Sequence, residues 1–187
     1  MLTQIIDSFF DSHDETFDSS FDLRLGNGEV IQLSESAIPG VSSNQTLAFV
    51  ASQNALFVGD LVHHKAHAWL EGGIVNGKPT PSITSWIENL NNVSKDYSPS
   101  VQVYGGRGQT VALKEAIPAE IAYLKKADKI VSDFIKKLGA KSAELSTDKA
   151  QTHYAALTKE FEKAFPDYAL SYMIQYGVYG LAQSKIK

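Results

Sequence analysis

The chain has 187 residues, 43% of them hydrophobic and 20% charged, with a formal net charge of −4 and no cysteine. That length and apolar share suit one globular domain with a real core. A mildly acidic chain without a basic cluster argues against nucleic acid or an anionic membrane as its main partner, and the lack of cysteine excludes disulfides and thiolate metal sites.

The N-terminus, MLTQIIDSFFDSHDETFDSS, has no basic n-region and its apolar residues are soon interrupted by acids, so it does not read as a signal peptide. No apolar run approaches the ~20 residues that span a bilayer. The expected location is the cytoplasm. Ile5, Ile6, Phe9 and Phe10 share one helical face. His13, between Asp11 and Asp14, reads as part of a solvated loop rather than a metal site.

Residues 21–25 and 29–33 alternate around Asn27-Gly28, the signature of a β-hairpin. A loop with Pro39-Gly40 follows, then a strand over 46–50, a turn at 52–54 and a strand at 56–58, together an antiparallel meander. After a histidine-rich stretch comes a glycine- and proline-rich connection, 72–81. Ser82 caps a predicted helix to about Asn91, with Ile83, Trp86, Ile87 and Leu90 on its core face. Residues 100–104 read as a strand running into the turn Gly105-Gly106-Arg107-Gly108.

The remainder reads as helical. One helix is predicted over 119–138 with Gly139 as its C-cap, and its lysines (125, 126, 129, 136 and 137) mark a solvated face. A second is predicted over 147–165, stopped by Pro166. A third, from Pro166 or Asp167, carries Tyr168, Tyr172, Met173, Tyr176 and Tyr179 as core or a subunit contact. Composition shifts near residue 113. The expected organisation is therefore a β-rich region, 1–113, with a helical region, 114–187, packed on it as a single domain.

The chemistry concentrates in ALFVGDLVHHKAHAWL, residues 55–70. A short apolar strand ends at Gly59-Asp60, and His63, His64 and His67 follow within five positions. Imidazole and carboxylate suit zinc or a similar ion, and a catalytic site needs about three protein ligands and an open position. His63 and His64, being adjacent, point apart in most conformations, so at most two of the histidines are expected to join Asp60. The other reading has Asp60 capping backbone N–H groups of the loop and the histidines facing solvent. Arg107, in its glycine-rich turn, is a fixed cation suited to a carboxylate or phosphate.

In their order, the Pro39-Gly40 loop, the strand over 46–50, the ALFVGD strand, the helix from Ser82, the strand VQVY and the GGRG turn resemble the C-terminal half of a metallo-β-lactamase superfamily hydrolase, over roughly residues 21–110. The resemblance implies an α+β fold, half of an αββα sandwich with a mostly antiparallel sheet plus helices and a helical C-terminal extension. It also implies metal-assisted hydrolysis with zinc or another divalent metal. Carried over, Asp60 matches the metal-bridging carboxylate and His67 a histidine after the GD motif. The expected metal ligands are Asp60, His64 and His67. His67 and Arg107 are the expected catalytic pair, with Arg107 orienting a small anionic substrate.

The chain departs from the family pattern elsewhere. It lacks HxHxDH, it reads Pro39-Gly40-Val41 where the family has Pro-Gly-His, and Gly106-Arg107-Gly108 where the family has Gly-His-Gly. It therefore reads as a fragment or diverged member of a metal-dependent hydrolase family, or alternatively as a non-catalytic binding or oligomerisation domain. A half-sandwich leaves a sheet face uncovered, so a homodimer, or a partner covering that face, is expected.

Overall fold

The computed structural model describes residues 16–36 and 38–186. The expectations for Ile5, Ile6, Phe9, Phe10 and His13 lie outside these residues. Six strands form the main sheet: β1 (Ser20–Arg24), β2 (Val30–Ser36), β3 (Gln45–Val50), β4 (Ala55–Gly59), β7 (Gln102–Gly105) and β8 (Val111–Ala112), in the spatial order β1-β2-β3-β4-β7-β8. The first four are a sequential antiparallel meander, as the alternation and the Asn27-Gly28 turn predict. Strand β7 then adds to β4 in parallel, and β8 closes the far edge antiparallel to β7. The fold is a mixed α+β arrangement with a mostly antiparallel sheet.

The connection between β4 and β7 is not the bare loop that its glycines and prolines predict. It holds a small hairpin, β5 (Gly73–Val75) and β6 (Lys78–Thr80), turned by Asn76 and Gly77, which both take positive φ. This is the Asn-Gly hairpin chemistry again, on strands too short to show alternation. Helix α1 (Ile83–Asp96) follows, with the Ser85 N–H donating to Ser82 Oγ at its start. It runs one turn past the expected end, because Val93 continues its buried stripe.

Helix α2 (Leu113–Leu138) begins six residues before the predicted start. Pro118 reads as a boundary, but it lies in the second turn, where its ring costs the helix only one early hydrogen bond. Gly139 does cap it, at φ 55°, with its N–H donating to Ile135 O. Helix α3 (Ala150–Ala164) follows a 3₁₀ segment, Gly139–Ser146. The predicted third helix is instead an extended stretch and two short helices, α4 (Tyr172–Gly177) and α5 (Tyr179–Gln183). Leu170 takes φ 63°, and Ala169 forms a parallel bridge to Ala66. Tyr172, Tyr176 and Tyr179 are exposed and not core.

One sheet face is packed by helices. Leu47, Leu56, Val58 and Val103 join Trp86 and Leu90 of α1 and Leu113, Ile117 and Leu124 of α2 in one continuous core. The opposite face carries a second apolar set. Register places Phe21, Leu33, Ala48, Phe57 and Tyr104 in one row across five strands, with Leu23, Ile31 and Val50 in the next. Phe57 is 45% exposed and Tyr104 39%, their rings stacked at 4.9 Å. This sheet is apolar on both faces, which is the pattern of an inner layer.

Candidate functional site

The site forms because β4 and β7 are parallel. Their carboxyl ends lie side by side, with Gly59 opposite Gly105, so the residues that follow each strand meet. Crevices at the carboxyl ends of parallel strands are common ligand positions. Here the GGRG turn is pressed against the histidine loop. The Gly106 N–H donates to Gly59 O at 2.5 Å. A Cβ on Gly106 would run into the Asp60 carboxylate, and one on Gly108, at φ 88°, into His64 O. The glycines are there because two loops share the space that side chains would need.

Arg107, Asp60, His63 and Glu120 make one chain of polar contacts. Arg107 Nη1 donates to Asp60 Oδ2 at 2.9 Å and lies 3.3 Å from His63 Nε2. His63 Nε2 is in turn 3.7 Å from Asp60 Oδ1. Behind the imidazole lies Glu120, on the buried face of α2. Its Oε2 accepts the His63 backbone N–H at 2.8 Å, and its Oε1 is 3.8 Å from His63 Nδ1. The neighbouring His63 imidazole, with the Arg107 charge adding to it against the opposing effect of burial, holds the Asp60 carboxyl below its usual range. Burial alone would lower the His63 imidazole, but the flanking Asp60 and Glu120 outweigh it and raise its pKa.

The other expected site residues lie elsewhere. His64 is buried, with Nε2 3.7 Å from Glu115 Oε1. His67 is fully buried in an aromatic box of Tyr123, Phe161, Phe165 and Tyr168, with ring centroids 5.6–5.9 Å away. The Tyr123 hydroxyl accepts the Ala68 N–H at 3.1 Å and lies 3.3 Å from His67 Nδ1. Burial pushes the His67 pKa down to about 4, with the Glu162 charge opposing it in part. None of the three histidines faces solvent. Of the expected residues, only Asp60 and Arg107 come together.

His63 is the histidine that joins them, and Glu120 is the partner that the sequence reading misses. Glu120 is 2% exposed and falls in step with Ala116, Ile117, Tyr123, Leu124 and Ala127 on the buried stripe of α2. A carboxyl group at helical spacing among apolar residues is the signal that could have found it.

The geometry also tests the metal that the resemblance implies. A zinc ion needs ligand atoms at about 2.0–2.2 Å and usually three protein side chains. Among the described residues no group of three or more His, Cys, Asp or Glu side chains gathers to hold a metal ion. The set Asp60, His64 and His67 is not gathered, and the space between Asp60 and His63 is taken by a guanidinium nitrogen. The described residues at this position do not fit a divalent ion.

No protein-family model and no curated protein matches the sequence. Among described residues no helix is long and apolar enough to cross a membrane. Solved structures do match. A metallo-β-lactamase from Pontibacter korlensis is 19% identical over 66% of this chain and 55% of its own, with a TM-score of 0.48. The mono-zinc form of the metallo-β-lactamase FIM-1 from Pseudomonas aeruginosa is 19% identical over 62% and 47%, with a TM-score of 0.43. ETHE1 from Myxococcus xanthus is 13% identical over 60% and 48%, with a TM-score of 0.43. The chain spans about half the length of these structures, and over that span it is similar to part of a metallo-β-lactamase-like fold.

Proposed function

We propose that the chain is a non-catalytic association module of metallo-β-lactamase-like build, whose outer sheet face docks a second β-layer supplied by another copy of the chain. The observation that carries this reading is the apolar row that ends on the stacked, exposed pair Phe57 and Tyr104. Five strands at about 4.8 Å spacing make a face roughly 20 Å wide, and a sheet packed face to face at about 10 Å matches it better than a single helix about 10 Å across. Burying aromatic side chains of 150–250 Å² each gives such a contact its main driving force.

Light scattering coupled to size exclusion tests it. The wild-type chain is expected to be a dimer at micromolar concentration, and Phe57→Lys combined with Tyr104→Lys to be a monomer with an unchanged far-UV spectrum. A wild-type monomer would refute the reading.

The competing reading is a metal-dependent hydrolase; the ligand set Asp60, His64 and His67 that it would use is not gathered, and what speaks for it is Arg107, placed to orient a small anionic substrate. In its favour, Arg107 and Asp60 are both about a third exposed beyond the carboxyl ends of β4 and β7, within reach of an anion. Elemental analysis of tag-free protein separates the two. Stoichiometric zinc, iron or manganese that is lost on Asp60→Ala would support the hydrolase.

A further inference from the structure

We infer that β1 is a self-pairing edge: two copies of the chain join β1 to antiparallel β1 about a two-fold axis at Leu23, and their two sheets become one. This contact uses the sheet edge and is separate from the face-to-face contact proposed above.

Of the two edges of the main sheet, β8 has two residues and β1 has five. Long edges are commonly blunted by a bulge, a proline or a lysine. Strand β1, Ser20-Phe21-Asp22-Leu23-Arg24, has none of these, and it pairs with β2 without a shift of register. Among the described residues no strand pairs with its other side. The ladder with β2 shows what that side offers. The Leu25 N–H donates to Glu29 O, and the Glu35 N–H to Ser19 O. Odd-numbered residues therefore bond to β2. By the alternation of an antiparallel pair, Ser20, Asp22 and Arg24 turn their N–H and C=O groups to the free edge.

Few two-fold registers bring those groups together, and the side chains choose among them. An axis at Asp22 sets Asp22 against Asp22, and an axis at Arg24 sets Arg24 against Arg24, like charges directly opposite each other. An axis at Phe21 carries Arg24 past the end of the second copy's strand. An axis at Leu23 sets Asp22 opposite Arg24 of the second copy, and Arg24 opposite its Asp22. The two side chains already stand 3.6 Å apart within one copy, 50% and 73% exposed, so the axis closes a ring of four alternating charges. On the outer face the same register sets Leu23 against Leu23 and Phe21 against Leu25. Leu23 and Leu25 are each 41% exposed in the single chain. Leu23 falls at a non-hydrogen-bonded position of the new pair, where opposed Cα atoms are about 4.5 Å apart and the side chains touch. One surface patch thus serves both copies, as a two-fold contact requires. About four backbone hydrogen bonds and a few apolar side chains make it a weak contact, formed at higher concentration than the face contact.

Sedimentation over a concentration series tests this in full-length protein carrying Phe57→Lys and Tyr104→Lys. The face contact is absent there, so the outcome does not depend on it. This protein is expected to be a monomer at micromolar concentration and a dimer toward millimolar. Adding Asp22→Arg or Arg24→Asp places like charges opposite each other and should weaken the dimer by about tenfold. Both substitutions together oppose unlike charges again and should restore it. The natural chain has no cysteine, so a single introduced thiol reports the axis. In the same background, Leu23→Cys, opposite itself, should cross-link two chains under a mild oxidant faster than the equally exposed Leu25→Cys, opposite Phe21. The inference is overturned by a protein that stays monomeric at every concentration, by single charge variants that pair as well as their parent, or by Leu25→Cys linking as fast as Leu23→Cys.

Discussion

The fold keeps a neutral histidine where acid should be felt. His67 has an ordinary pKa of 6.5 when unfolded and about 4 in its aromatic box. Between those values the unfolded chain holds a proton that the folded chain refuses. Its contribution to stability is therefore complete above pH 6.5 and is lost as the pH falls toward 4. At about 1.36 kcal/mol per unit the full separation is worth about 3 kcal/mol, of which about 2 kcal/mol is lost between pH 7 and pH 4.5, above the folded value. The groups facing the ring are the phenols Tyr123 and Tyr168 and the Glu162 carboxylate, and Lys126 lies on Phe165, a wall of the same box.

The assay is urea unfolding of wild type and His67→Gln at several pH values from 7 to 4.5. Glutamine cannot titrate, and its amide offers the Tyr123 hydroxyl either a donor or an acceptor. His67→Gln lowers stability at pH 7, and the slope of stability with pH decides the question. His63 acts in the opposite sense: its raised pKa adds stability below 6.5 that fades as pH rises through the folded value, and this is common to both proteins. Wild type should lose about 2 kcal/mol more than the variant over that range. Parallel losses would show that His67 is not held neutral by its surroundings, and the reasoning would fail.

Two further perturbations probe the frame around the site. Gly106→Ala should cost roughly 2–4 kcal/mol, because the new Cβ meets the Asp60 carboxylate and forces apart the two loops; denaturant midpoints measure it, and a loss under about 0.5 kcal/mol would mean the turn can relax. Ser82→Ala removes the oxygen that accepts the Ser85 N–H at the start of α1 and should cost about 1 kcal/mol in the same assay.

What could be read from the sequence was whatever rests on local chemistry. Asn27-Gly28 with its flanking alternation gives the first hairpin, Ser82 the start of α1, and Gly139 the end of α2. Each is decided within a few residues. The same chemistry at Asn76-Gly77 escapes notice because three-residue strands carry no period. The extended stretch before α4 is fixed by a distant partner: Ala169 leaves helical geometry to pair with the histidine loop, a contact that no local pattern announces. The site divides in the same way. Asp60 and Arg107 stand out as polar residues beside glycines at strand ends. Which histidine would turn toward them depends on Glu120, carried there by a helix that begins fifty residues later. The residue type alone could not choose among His63, His64 and His67.

The pairing of Ala66 with Ala169 makes the histidine loop dependent on a part of the chain synthesised much later. The His67 N–H donates to Ala169 O, and the Ala169 N–H to Lys65 O. Phe165 and Tyr168, on the same stretch, close the box around His67. Until that stretch docks, the His67 amide lacks its acceptor and the imidazole is open to water. The loop that carries His63 is therefore completed only when that segment is docked, and the exchange rate of the His67 amide hydrogen would report directly on whether it is in place.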